Sequence, residues 1–208
     1  MRNQHWVAGT AAVAALCCVP AACRAQSAPF THEGFYLQMT GGGGYLGTSA
    51  SGNGEQLSIR GGAISGSVWI GGSVVPGLVL GGGTSSTIAI RPKVKETAQG
   101  QALDIGNPNA GMQLNMIGLV SDFYPNPRKG LHFQAMLGFA VLTITQQNSA
   151  SSHSPSGIGL MGGVGYDFWV SAEWSAGVLG SFQYAGAKLN DASYPTLSPA
   201  LLASFTYN

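Results

Sequence analysis

From residue 34 onward the chain repeats with a period of two, and no stretch has the period of a long helix. Alternation of apolar and small or polar positions is the signature of a strand with two unlike faces. Residues 131–142 carry it clearly. Leu131, Phe133, Ala135, Leu137, Phe139 and Val141 share a wholly apolar face, and His132, Gln134, Met136, Gly138, Ala140 and Leu142 share a mixed one. The same rule predicts eight strands, over 34–46, 59–74, 78–90, 111–124, 131–145, 157–169, 174–186 and 197–208. Two places resist: Trp69 falls on the small face of its strand, and the phase is unclear from Ile117 to Phe123. A bulge is the expected remedy at either.

The connections alternate in length. Those near 47–58, 91–110, 146–156 and 187–196 are long and polar, whereas 75–77, 125–130 and 170–173 are short. An antiparallel up-and-down barrel with two unlike ends has this rhythm. An apolar outer face can meet a second sheet, as in a sandwich, or lipid, which demands closure because hydrocarbon cannot satisfy a strand edge. Lipid is favoured by the near absence of charge inside the strands and by aromatics near the short turns. These are Phe123, Tyr124, Phe133, Tyr166, Phe168, Trp169, Trp174, Phe205 and Tyr207, with a thinner outer set of Tyr45, Phe182, Tyr184 and Tyr194. Together they read as two aromatic girdles. Glycines inside the strands, such as Gly41–Gly44, Gly71-Gly72 and Gly81–Gly83, suit the coiling of a small barrel. With eight strands its interior is just filled by side chains.

The first 25 residues are read as a signal peptide: Arg2, an apolar run from Trp6 to Leu16, and small residues at Cys23 and Ala25 ahead of cleavage. Residues 26–33 form a short N-terminal lead, and 34–208 the barrel domain. All three cysteines (Cys17, Cys18, Cys23) lie in the removable segment, so the exported chain holds no disulfide. Only 8% of the residues are charged while 45% are hydrophobic, and the net charge is +1. That excludes a disordered chain and leaves no basic patch for nucleic acid.

The signal peptide, the glycine-rich alternating strands and the closing Leu201-Leu202-Ala203-Ser204-Phe205-Thr206-Tyr207-Asn208 resemble the small eight-stranded outer-membrane β-barrel proteins of Gram-negative bacteria. So does the segment Gly162–Trp169 followed by Trp174. The resemblance covers 34–208. It implies an all-β transmembrane barrel in the outer membrane, surrounded by outer-membrane lipids and lipopolysaccharide and inserted by the barrel assembly machinery, which reads the terminal strand.

No catalytic, cofactor-binding or metal-ligating residue is assigned. Gly157-Ile158-Gly159-Leu160-Met161-Gly162 matches a dinucleotide fingerprint, but alternation continues through it where a helix is required. Gly41–Gly44 lacks the Lys-Ser/Thr of a phosphate loop. His5, His32, His132 and His153 have no metal-ligand spacing and read as separate solvated or interfacial histidines. His153-Ser154-Pro155-Ser156 is the only hydrolase-like run; the carboxylates in the other outer loops are Glu55, Glu96, Asp104 and Asp191. Arg91, Lys93 and Lys95, with Arg60, form a basic cluster at the rim suited to lipopolysaccharide phosphates. The leading expectation is a structural, envelope-maintaining barrel without catalysis. A narrow channel or carrier for small molecules would use Gln38, Gln113, Asn115, Gln134 and Gln183 as interior groups. A lipid A-modifying hydrolase and a soluble secreted barrel are further alternatives.

Overall fold

The computed structural model describes residues 30–52, 55–89, 92–98, 101–104, 110–146, 154–189 and 192–208. They form strands β1 (Phe35–Gly52), β2 (Glu55–Val75), β3 (Leu78–Ala89), β4 (Lys93–Ala98), β5 (Gln101–Asp104), β6 (Ala110–Phe123), β7 (Leu131–Gln146), β8 (Ser156–Trp169), β9 (Trp174–Leu189) and β10 (Ala192–Tyr207). Eight of these close into an antiparallel barrel in the order β1-β2-β3-β6-β7-β8-β9-β10, and β10 pairs back with β1. Following paired residues once around the wall from Leu37 leads back to β1 at Gly47, ten residues further on. With the usual rise and strand spacing, that stagger tilts the strands by about 40°.

Each long connection that can be followed is partly strand. β1 and β2 run on to Gly52 and Glu55, and β9 and β10 to Leu189 and Ala192. The long 91–110 connection contains the β4–β5 hairpin, which rides on β2 beyond the end of β3: Ala63 pairs with Ala89, and Arg60 with Lys93.

The strand phase is regular where a bulge was expected. Trp69 is in phase and fully buried in the lumen, because Gly83 opposite it has no side chain: a Cβ there would stand 2.6 Å from the indole Cδ1. From Ile117 to Phe123 alternation is unbroken, with Val120 and Asp122 inward and Leu119 and Phe123 outward. The register shift on the β2–β3 ladder lies instead between Ser73 and Val75, next to the turn. The expected coiling role of glycine is visible where Gly118 pairs with Gly138, and a Cβ on either would strike the other strand's backbone.

The outer surface divides by height. Outward residues are apolar or small from Phe35 to Tyr45 on β1, Leu131 to Val141 on β7, Phe168 to Ile158 on β8, Trp174 to Tyr184 on β9 and Tyr207 to Leu197 on β10. Each run covers ten residue steps, about 25 Å of barrel height at this tilt, which matches the apolar band of an outer-membrane barrel. Beyond it the outward residues turn polar: Ser49, Arg60, Thr143, Thr145, Lys188 and Ser193. Inside, the sense is reversed. Leu46, Ile59, Met112, Leu114, Leu142, Ala185 and Ala187 fill the end near the long hairpins, with Val94, Ile144 and Tyr194 packed on them.

Candidate functional site

The polar interior lies at the opposite end, near the short turns. Asp122 of β6 and Asp167 of β8 are fully buried there, and buried carboxylates persist only when hydrogen-bonded or paired. Asp122 accepts hydrogen bonds from the Tyr36 hydroxyl (2.6 Å) and Gln134 Nε2 (2.9 Å), and its Oδ1 lies 2.9 Å from His132 Nδ1. Asp167 accepts from Ser204 (2.8 Å) and Tyr124 (3.1 Å), with Thr206 (3.4 Å) and Ser175 (3.5 Å) at longer range. His132 sits between the two acids. Its Nε2 is 3.9 Å from Asp167 Oδ1 and has no hydrogen-bond partner. Gly165 makes room for this ring, since a Cβ there would collide with His132.

A strap closes the mouth below the acids. Residues 30–34 cross it and bond to two of the short connections and to the end of β2. Phe30 N donates to Ala172 O (3.1 Å), His32 N donates to Pro127 O (2.9 Å), and Gly34 O accepts from Ser73 N (2.8 Å). The His32 ring inserts between Tyr124 (centroids 3.7 Å apart) and Trp169 (4.5 Å), and Tyr124 stacks in turn on His132 (5.0 Å). Asn208 lies nearby, but neither His32 nitrogen has a partner with hydrogen-bond geometry. Burial lowers the His32 pKa from 6.5 to about 4, outweighing the upward pull of Asn208, Asp167 and Asp122. The Tyr124 hydroxyl is pushed well up, first by burial and then by Tyr36 and the two carboxylates.

Two hydrogen bonds span the bore. Gln134 Nε2 of β7 donates to Gln38 Oε1 of β1, the strand directly opposite, at 2.8 Å. Higher up, Gln183 Nε2 of β9 donates to Ser85 Oγ of β3, also opposite, at 2.7 Å.

Several expectations are corrected. His32 and His132 are neither solvated nor separate: both are fully buried and joined through Tyr124. Tyr124 points into the lumen rather than into a girdle, and Tyr194 packs partly on the core. Gln38, Gln134 and Gln183 are interior as expected, but Gln113 and Asn115 face outward, because Met112, Leu114 and Met116 take the inward phase of β6. There Gln113 Nε2 donates to Asn115 Oδ1 (2.9 Å) and to Ser86 Oγ (3.2 Å). The Gly157–Gly162 run lies within β8, as alternation required. Residues 1–29, Arg91, His153 and Asp191 lie outside the described residues, as do the side chains of Glu55, Lys95, Glu96 and Asp104. Arg60 and Lys93 stand side by side on the outer rim. The Asp122–His132–Asp167 cluster was not anticipated. Its signal is present, since all three residues are charged or titratable and share the inward phase near the short turns.

No family model and no curated protein matches the chain. Among solved structures, the outer membrane protein OprG from Pseudomonas aeruginosa superposes with a TM-score of 0.52 at 10% identity, over 86% of this chain and 99% of that one. Neisserial surface protein A is similar at 18% identity over 83% of this chain and 96% of that chain (TM-score 0.47). Ail of Yersinia pestis, solved with the heparin analogue sucrose octasulfate, is similar at 15% identity over 84% and 99% (TM-score 0.44). The closed eight-strand wall, its apolar band and the likeness to OprG together identify the fold of this chain as that of the small eight-stranded outer-membrane β-barrels.

Proposed function

We propose that the chain is an integral protein of the cell outer membrane, exported by a cleaved signal peptide, with a structural, envelope-maintaining role and without catalysis. On this reading its short turns face the periplasm, its long hairpins face outward, and the barrel assembly machinery inserts it. The observation that supports it is the closed lumen. Side chains from opposite strands meet at two heights, Gln134–Gln38 and Gln183–Ser85, and the strap covers the periplasmic mouth. An eight-stranded interior filled in this way stabilises the wall and leaves no continuous bore. The refolded protein in planar bilayers should show no conductance above the lipid background, while shifting on a gel when boiled. Steady single-channel steps would refute the reading.

A second reading is a carrier for small apolar molecules. It is favoured by the Met, Leu and Ala side chains that line the outer end of the lumen. Uptake of an apolar substrate by liposomes containing the barrel, at a rate above empty liposomes, would select it.

A further inference from the structure

Two features of the outer surface are left over by a purely structural role. The first is a pair of like charges. Arg60 of β2 and Lys93 of β4 are directly opposed across the ladder, and both are exposed. Opposed like charges repel. Among the described residues, no carboxylate lies within ion-pair distance of either. Asp104 stands in register with Lys95, not with this pair. Arg60 is also pre-oriented, since its Nε donates to Ser58 Oγ at 2.7 Å. Its other neighbour, Gly47, has no side chain to cover it. The pair lies just above the apolar band, four residues from Ile64, which is 60% exposed.

The second feature breaks the band itself. On β3 and β6 the outward row contains Thr84, Ser86 and Asn115, whereas the residues in register with them on β7, Phe139 and Val141, are apolar; Gln113, in register with Thr143, stands at the upper edge of the band. Gln113 donates to both Asn115 and Ser86, and Asn115 and Ser86 border a notch with Thr84, Ile117, Phe139 and Val141. These amides still have hydrogen-bonding capacity that hydrocarbon cannot meet. By register, Ile64 pairs with Ile88 and Ile88 with Gln113. Gln113 therefore lies roughly 16 Å from Arg60, and Ser86 and Asn115 roughly 20 Å from it, nearer the membrane.

We propose that this face, β2–β3–β4–β6, holds one phosphorylated glycolipid of the outer leaflet, its phosphate on Arg60 and Lys93 and its acyl amide or hydroxyl groups on Gln113, Asn115 and Ser86. Phosphate supplies the anion that relieves the Arg60–Lys93 repulsion, and Arg60 offers it a directional fork. A lipid with polar groups only at its head would satisfy the rim and leave the lower break unmet. An amide-bearing lipid satisfies both. The proposal rests on the outer-membrane reading.

The test reconstitutes the refolded chain in phosphatidylcholine bilayers doped with bis-phosphorylated lipid A, its dephosphorylated form, or phosphatidylglycerol. Lipid retained after mild detergent extraction is then counted by native mass spectrometry. Lipid A is expected to be retained well above phosphatidylglycerol. Arg60→Gln with Lys93→Gln lowers its retention about tenfold, as the loss of charge-assisted bonds implies. The dephosphorylated form behaves with the unaltered chain as lipid A does with that variant. Gln113→Leu with Asn115→Leu also lowers lipid A retention. Lys188→Gln, a cation at the same rim whose ladder neighbours are Ser156 and Ser193, changes nothing. Equal retention of phosphatidylglycerol, no effect of either double variant, or displacement by inorganic phosphate overturns the proposal. A barrel that shifts on boiling yet retains no lipid A refutes this site alone; one that never inserts refutes the outer-membrane reading.

Discussion

The two ends of this barrel are built from the same strands with opposite rules. Near the short turns the interior is polar, with Asp122, Asp167, His132 and Gln134, and the outside is apolar, with Phe133, Phe168 and Phe205. Near the long hairpins the interior is mainly apolar, with Leu46, Met112, Leu114 and Leu142 beside the buried Thr48–Thr196 pair, and the outside is polar, with Arg60, Thr143 and Lys188. The period of two is unchanged; what changes is the solvent. Where lipid surrounds the wall, polar groups can only be satisfied inside, and they need a complete set of partners. Where water surrounds it, the strands follow the soluble rule and bury apolar side chains. The comparison teaches that strand phase alone does not say which face carries which chemistry.

The polar end should be the less forgiving. Asp122→Ala leaves Tyr36, Gln134 and His132 without their acceptor and should cost about 4 kcal/mol, read from urea unfolding in lipid vesicles. At the apolar end Leu114→Ala leaves a void and should cost about 3 kcal/mol by the same assay. A cost below 1 kcal/mol for Asp122→Ala would show that the carboxylate is not the organiser of its end.

Acid separates the two ends as well. The His32 pKa is depressed to about 4 in the folded chain, so the unfolded or detached strap binds a proton first as pH falls. The stabilisation from neutral, inserted His32 is complete above pH 6.5 and disappears by about pH 4, a loss of about 3 kcal/mol. Exchange of the Ser73 amide, which the strap covers through Gly34 O, should accelerate over that window, while amides of the outer core do not. His32→Phe should remove the pH dependence.

Outside, Leu137→Arg lies midway along the apolar run of β7 and should cost about 3 kcal/mol in lipid. Thr145→Arg on the same face, four steps beyond Val141, should cost less than 1 kcal/mol. Equal costs would place the membrane boundary elsewhere. The smallest effect belongs to the upper crossbar: Gln183→Leu removes one neutral hydrogen bond and should change stability by about 1 kcal/mol.

Much of the wall was legible because the pattern on β7, β8, β9 and β10 is strict, and the short turns fall where alternation stops. Trp69 was harder: its inward placement depends on Gly83, which stands opposite only after β2 and β3 pair. Gln113 and Asn115 defeat the rule that polarity marks the lumen, because Met112, Leu114 and Met116 take the inward phase of β6 and leave the amides outside. The acidic cluster joins residues from β1, β6, β7, β8 and β10, and no local spacing links Tyr36 to Asp122 or Ser204 to Asp167. His32 belongs to a lead with no periodicity, and its position is set by turns nearly a hundred residues and more away. The β4–β5 hairpin has no apolar face of its own and exists by pairing with β2.

The central claim is the inversion of the wall at the upper edge of the apolar band. The chain's three cysteines all lie in the first 25 residues, so a protein that begins at Gln26 takes a single-cysteine label unambiguously. Spin labels at Leu137, Phe182, Thr145 and Lys188 in bilayers should divide cleanly. Those at Leu137 and Phe182 should be relaxed by oxygen and shielded from a water-soluble nickel reagent, and those at Thr145 and Lys188 the reverse. Water access at Leu137 and Phe182 equal to that at Thr145 and Lys188 would contradict the account.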